Sequence, residues 1–105
     1  MAVAEITVDE LAAVLATGAR LIDVREPAEY EDAHVPGAVL VPLGTVPEHV
    51  EVFRGDGPTY VICRSGARSM KACEFVAGHG VEAVNVAGGT MAWVTSGRDC
   101  ATGAA

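Results

Sequence analysis

Thr59-Tyr60-Val61-Ile62-Cys63-Arg64-Ser65-Gly66-Ala67-Arg68-Ser69 is the stretch on which the reading of this chain turns. Its first four residues are an apolar run of strand length, and a helical spacing begins just beyond Ser65. Cys63 therefore falls where a strand ends and the chain curls toward a helix. At such a turn successive main-chain N–H groups and the helix N-terminus point at one spot and favour negative charge there. Arg64 and Arg68 add two full positive charges on the same loop. The thiolate is the reactive form of cysteine, so the setting suits covalent catalysis on, or storage of, an anionic group. The plainer reading is a core cysteine before an ordinary turn, and two arginines around Ser65-Gly66 argue against it.

Following the chain onward, Met70, Cys73, Val76 and Ala77 recur at three- and four-residue steps, with Gly78 and Gly80 closing the run. This predicts a helix from residue 65 or 66 to about 77. The same spacing puts Cys73 on the core face, as packing rather than as a resolving thiol for Cys63. Further strand-like runs occupy residues 5–7, 20–24, 38–41 and 83–86, each rich in Val, Ile or Leu. Thr7-Val8-Asp9-Glu10 forms a Thr-x-x-Glu capping box ahead of an apolar stripe of Leu11, Val14 and Leu15, with Gly18 as its stop. Strands alternating with helices predict an α/β fold: a five-stranded, mostly parallel central sheet flanked by helices on both faces. Ligands in such folds bind beyond the carboxyl ends of the strands, which is where the motif places Cys63.

The chain has 105 residues, half of them apolar and 20% charged, and is read as one domain over residues 1–105. Its net charge of −7 argues against a nucleic-acid surface, yet residues 63–71 hold Arg64, Arg68 and Lys71 with no acidic residue. Apolar runs such as Ala38-Val39-Leu40-Val41 are too short to cross a bilayer, and the first ten residues lack the basic start of an export signal. No membrane association is expected. Three cysteines without a C-x-x-C pair fit neither a disulfide framework nor a zinc site, which points to a reducing compartment, the cytoplasm. His49 and His79 have no partners at metal-ligand spacing, so no metal or organic cofactor is expected. Gly88-Gly89 lacks the further glycine of a phosphate-binding turn and reads as a tight turn ahead of Trp93, a core anchor. Cys100 lies in a Gly/Ala/Thr-rich tail that is expected to be mobile.

Four motifs stand in order: Asp23-Val24-Arg25-Glu26 with Glu29-Tyr30, then His34-Val35-Pro36-Gly37-Ala38, then the 63–69 loop, then Gly88-Gly89 followed by Ala92-Trp93. Together they resemble the rhodanese-like sulfurtransferase family in its single-domain form. Two departures are Ala33, where a glycine is common, and the stretch 96–100, which lacks a frequent proline. The resemblance implies that Cys63 is the sulfur-accepting catalytic cysteine, cradled by a substrate-binding loop of Arg64, Ser65, Gly66, Ala67 and Arg68. It implies that Ser69 begins the helix whose N-terminus steadies the loop, and that Asp23 and Arg25 support the loop through hydrogen bonds and ion pairing. His34 takes a turn-shaping role and no catalytic one.

The activity so implied moves a sulfane sulfur from thiosulfate, or a related small anionic donor, to a thiol or cyanide acceptor through a Cys63 persulfide. Candidate acceptors include a thioredoxin-like or sulfur-relay protein. One rival is a persulfide-carrying module that serves a partner enzyme. The other is a phosphatase or arsenate reductase, which shares the cysteine-to-arginine loop. Four residues separate Cys63 from Arg68, one fewer than in the related phosphatases, leaving less room for a tetrahedral phosphate.

Overall fold

The computed structural model describes residues 3–104. Strands β1 (Ala4–Ile6), β2 (Arg20–Asp23), β3 (Val39–Leu40), β4 (Thr59–Ile62) and β5 (Ala83–Val86) form one sheet in the order β1-β5-β4-β2-β3. All four pairings are parallel, so the mostly parallel sheet expected from the sequence is parallel throughout. β3 is shorter than the predicted 38–41 run because the Ala38 N–H turns back to the Val35 carbonyl (3.1 Å) rather than joining the ladder.

The connecting helices are α1 (Val8–Leu15), α2 (Pro27–Asp32), α3 (Ala67–Ala77) and α4 (Gly89–Thr95). Two 3₁₀ turns, Leu43–Glu48 and Val50–Phe53, join β3 to β4. Pro47 lies within the first and lacks the N–H that a continuing α-helix needs. The capping box of α1 forms as its spacing predicts: Glu10 N–H donates to Thr7 Oγ1 (3.1 Å) and Thr7 N–H to Glu10 Oε1 (2.9 Å).

Side chains alternate across the strands, so each strand feeds two cores. On one face, Leu21 and Ile62 pack with Leu11 of α1, Tyr30 of α2 and Trp93 of α4. On the other, Ile22, Val61 and Cys63 pack with Ala72, Cys73 and Val76 of α3 and with Val46 and Phe53 of the 3₁₀ turns. Full burial of a Val, Leu or Phe side chain is worth about 1.5–3 kcal/mol, and this two-sided burial is why adjacent residues such as Leu21-Ile22 and Val61-Ile62 are both apolar. Since β4 lies between β2 and β5, Cys63 emerges at the middle of the sheet's carboxyl edge.

The tail is docked, contrary to the mobility its composition suggests. His34 and Ala101 exchange two main-chain hydrogen bonds (2.9 and 2.8 Å), and Gly103 N–H reaches the Glu31 carbonyl at 2.8 Å. Trp93 Nε1 donates to the Asp99 carbonyl, and the Arg98 guanidinium sits 5.5 Å from the Trp93 ring centroid while bridging to Asp9. These contacts hold Cys100 against the core of α1, α2 and α4, across the sheet from the core to which Cys63 belongs. Among the described residues no helix is long and apolar enough to cross a membrane.

Candidate active site

Cys63 follows the last residue of β4 and lies at the floor of the loop, with 1% of its surface exposed. Its sulfur is met by the Gly66 N–H at 3.1 Å and by the Ser69 hydroxyl at 3.3 Å. Burial, the largest single influence, pushes the thiol up. Hydrogen bonds from the Ser69 hydroxyl and from the main-chain N–H groups of Ser69, Gly66 and Ser65 outweigh it, and the net shift is downward. The Ser69 hydroxyl is also 3.2 Å from the Gly66 carbonyl. Its single proton therefore has two acceptors, and a charged sulfur is the stronger claimant.

The helix starts slightly later than the sequence predicts. Gly66 is the N-cap, Ala67 the first helical residue and Ser69 the third, so Ser69 acts through its hydroxyl and its free first-turn N–H rather than as the first helical residue. Gly66 has φ +115°, the left-handed conformation that turns its N–H toward the sulfur and that a side chain would resist. Its carbonyl accepts from Asn85 Nδ2 (3.2 Å), which also donates to Glu5 Oε2 (2.8 Å). Asn85 Oδ1 is buried with no partner among the described residues.

From the other side, α4 clamps the loop. Thr90 donates both its N–H (2.9 Å) and its hydroxyl (3.0 Å) to the Cys63 carbonyl, and Met91 N–H reaches the Arg64 carbonyl at 3.0 Å. A Cβ on Gly89 would lie 2.5 Å from both of those carbonyl oxygens. Gly88-Gly89 is therefore more than the tight turn read from the sequence: the second glycine allows the helix start to lie against the backbone of the 63–68 loop.

The two loop arginines differ. Arg64 is exposed, and among the described residues its side chain has no hydrogen-bond or ion-pair partner, as Ser65 and Ala67 are also exposed. Arg68 is held by Glu29 in a bidentate pair, Nη1–Oε1 2.7 Å and Nη2–Oε2 2.8 Å. Arg68 is thus not the free cation that the loop sequence suggests. The Arg68 hydrogen bond, against the opposing effect of burial, brings the Glu29 carboxyl down to about 2, with help from the Glu26 N–H and the charge of Arg25.

Asp23 and Arg25 form the expected buried pair, with Arg25 Nη2–Asp23 Oδ2 at 2.8 Å. Arg25 also donates its main-chain N–H to Asp23 (3.0 Å) and its Nη2 to the Ala33 carbonyl (2.8 Å). No hydrogen bond among the described residues runs from either to the 63–68 loop; the pair braces the turn between β2 and α2. That turn leads into α2, whose third residue, Glu29, makes the connection to the loop.

Beside the loop lies a groove of about 420 Å³, whose walls include Arg25, Glu29, Arg64, Thr90, Met91 and Val94. His34 is buried, stacked on Tyr30 with ring centroids 3.6 Å apart and bonded through Nδ1 to the Tyr30 carbonyl (2.7 Å), a structural role. Among the described residues no three His, Cys, Asp or Glu side chains are grouped to hold a metal ion. Glu29, Asn85, Gly89 and Thr90 were not singled out as site residues from the sequence. The sign that marks Asn85 is an amide inside the otherwise apolar strand Ala83–Val86.

A doubly wound parallel sheet with a cysteine at the carboxyl end of its central strand, ringed by main-chain donors and a helix start, defines a class of anion-handling α/β domains. Within that class the sequence matches the Rhodanese-like domain profile over residues 7–96, and the chain belongs to that family. YtwF of Bacillus subtilis (strain 168), provisionally named a sulfurtransferase, is 45% identical over 73 residues, covering 70% of this chain and 71% of its own length. The thiosulfate sulfurtransferase GlpE of Pseudomonas entomophila (strain L48) is 30% identical over 89 residues, covering 84% of this chain and 82% of GlpE. A crystal structure of a rhodanese-like domain protein from Staphylococcus aureus superposes with a TM-score of 0.80 at 36% identity, covering 86% of this chain and 90% of that one.

Proposed function

We propose that this chain is a sulfurtransferase that carries sulfur as a persulfide on Cys63. The observation that carries the reading is the ring of donors around the Cys63 sulfur, which lowers the thiol despite its burial. In the first half-reaction the Cys63 thiolate attacks the terminal sulfane sulfur of a donor. A new S–S bond forms to Cys63, the donor's own bond to that sulfur breaks, and the electron pair leaves with sulfite when the donor is thiosulfate. In the second, cyanide or a thiolate attacks the outer sulfur, and Cys63 leaves again as a thiolate. A thioredoxin-like or sulfur-relay protein is a candidate source of that thiolate.

The loop N–H groups of Ser65, Gly66 and Ser69 steady the sulfur anion before and after transfer, and Arg64 is the unpaired cation that meets an anionic donor. Removing one well-placed donor of this kind typically costs about 2.7–4 kcal/mol of transition-state stabilisation. The length of the loop favours sulfur over phosphoryl transfer: the four residues between Cys63 and Arg68 leave less room for a tetrahedral phosphate.

The test is mass spectrometry of the intact protein after thiosulfate treatment. One added sulfur is expected on the Cys63 peptide, lost on addition of cyanide or thiol. An unmodified Cys63 together with hydrolysis of phosphate esters would replace this reading with the phosphatase one. Rapid loading from a cysteine desulfurase, with little turnover of small donors, would make the chain a carrier for a partner enzyme.

A further inference from the structure

One of the two cations of the loop is already occupied. Both nitrogens of the Arg68 fork are taken by Glu29 at 2.7 and 2.8 Å, in the planar two-point geometry with which a guanidinium recognises an oxyanion. Glu29 is aimed there by its own helix: it is the third residue of α2, behind Pro27, and its Oε1 also accepts the Glu26 N–H at 3.0 Å. Glu29 and Asp32 both line the groove beside the loop, so a dianion entering there meets two carboxylates against the guanidinium of Arg25, which is tied to Asp23, and one unpaired guanidinium, that of Arg64. On the same groove Met91 and Val94 present apolar side chains that are 48% and 50% exposed, a surface that thiosulfate, having no carbon, cannot use.

Resting on the persulfide reading above, we propose that Glu29 is a specificity-determining residue: by filling the oxyanion fork of Arg68 it favours organic hydropersulfides, R–S–SH, over dianionic thiosulfate as the sulfur source. The Cys63 thiolate attacks the outer sulfur of R–S–SH, the bond to the inner sulfur breaks, and its electron pair leaves as R–S⁻. The proton stays on the transferred sulfur, giving Cys63–S–SH. The organic group R lies along Met91 and Val94.

The experiment measures the rate of sulfur loading on Cys63 by mass spectrometry, with thiosulfate and cysteine hydropersulfide as the two probes. Wild type and Glu29→Gln are compared at low and high salt. The rate ratio of thiosulfate to hydropersulfide is expected to rise about fivefold in Glu29→Gln, the size of a part-exposed ion pair, and the gain should shrink with salt. Glu29→Ala, which places the best helix former at a half-exposed helical site, is expected to give the same rise and serves if the Gln variant does not fold. An unchanged ratio, with both rates falling together, would make Glu29 a strut for the loop and overturn the proposal. Loading of the wild type by neither donor would overturn the persulfide reading itself, and the proposal with it.

Discussion

Cys63 and Cys73 belong to the same apolar cluster on one face of the sheet and expose 1% and 0% of their surface, yet their thiols shift in opposite directions. At Cys73 burial pushes the thiol up to about 12, and the charges of Cys63, Glu74 and Glu5 push the same way. At Cys63 burial also pushes up, but donors from Ser69, Gly66 and Ser65 reverse the outcome. Depth does not separate the two sites; the supply of unspent N–H groups does. Cys73 lies within α3, where the main-chain donors around it are consumed by the i to i−4 ladder, whereas Cys63 faces the helix start, where the first N–H groups have no intrahelical partner. Within one core, the same residue type has its thiol raised in one place and lowered in the other.

The largest test of this contrast is Cys63→Ser, which should abolish sulfur loading while leaving circular dichroism and the thermal midpoint near wild type, since the hydroxyl matches the thiol in shape but is a far poorer nucleophile. Retained loading would place the nucleophile elsewhere. Gly89→Ala should come next. Its Cβ would be forced against the carbonyls of Cys63 and Arg64 at a position with φ +58°, so a loss of about 1–3 kcal/mol in denaturant stability is expected, together with slowed loading.

Ser69→Ala removes one donor from the Cys63 sulfur, a bond worth about 1.5–3 kcal/mol to the thiolate form, and should slow loading at neutral pH by about tenfold or more. Because the donor favours the thiolate, its loss raises the thiol and moves the rising limb of the pH–rate profile to higher pH. An unmoved profile would mean that the main-chain donors act alone. Cys73→Ala should leave loading near wild type and cost about 1 kcal/mol of stability, through packing alone. Loss of sulfur discharge in that folded variant would instead make Cys73 a partner of Cys63.

The smallest effect concerns the rim of the same loop. Glu29 falls from 4.5 to about 2 on folding, so its stabilising contribution is complete above pH 4.5 and is lost as pH drops through about 2. Glu29→Gln should lack that part of the acid limb in urea midpoints taken across this range. At a half-exposed pair the difference will be modest.

Much of the architecture was legible beforehand. The 59–69 stretch, the Thr7–Glu10 capping box and the Met70, Cys73, Val76 spacing are signals contained within a few residues, and each forms the element its pattern predicts, with α3 starting a residue or two late. The tail was not legible, because a Gly/Ala/Thr-rich composition describes local preference, while its anchoring comes from the Trp93 indole and the main-chain N–H and carbonyl of His34. Nor was the unequal state of the two loop arginines. Glu29 was visible as part of a motif, but nothing in its neighbours says that its carboxylate crosses to Arg68.

What the chain's order of residues determined by itself was the succession of strands with the helices after β1 and β4, to within a residue or two at their ends, and that a cysteine would stand at a strand end before a helix start. These follow from periodicity and capping, forces that act within a turn or two of backbone. Only the tertiary structure decided which arginine would stay free and what would brace the loop. The partners responsible lie 39 residues apart for Arg68 and Glu29, 27 for Thr90 and Cys63 and 19 for Asn85 and Gly66. Contacts of that span exist only after the β-α units have packed, because short hydrogen bonds report where whole elements come to rest and leave no periodic trace along the chain.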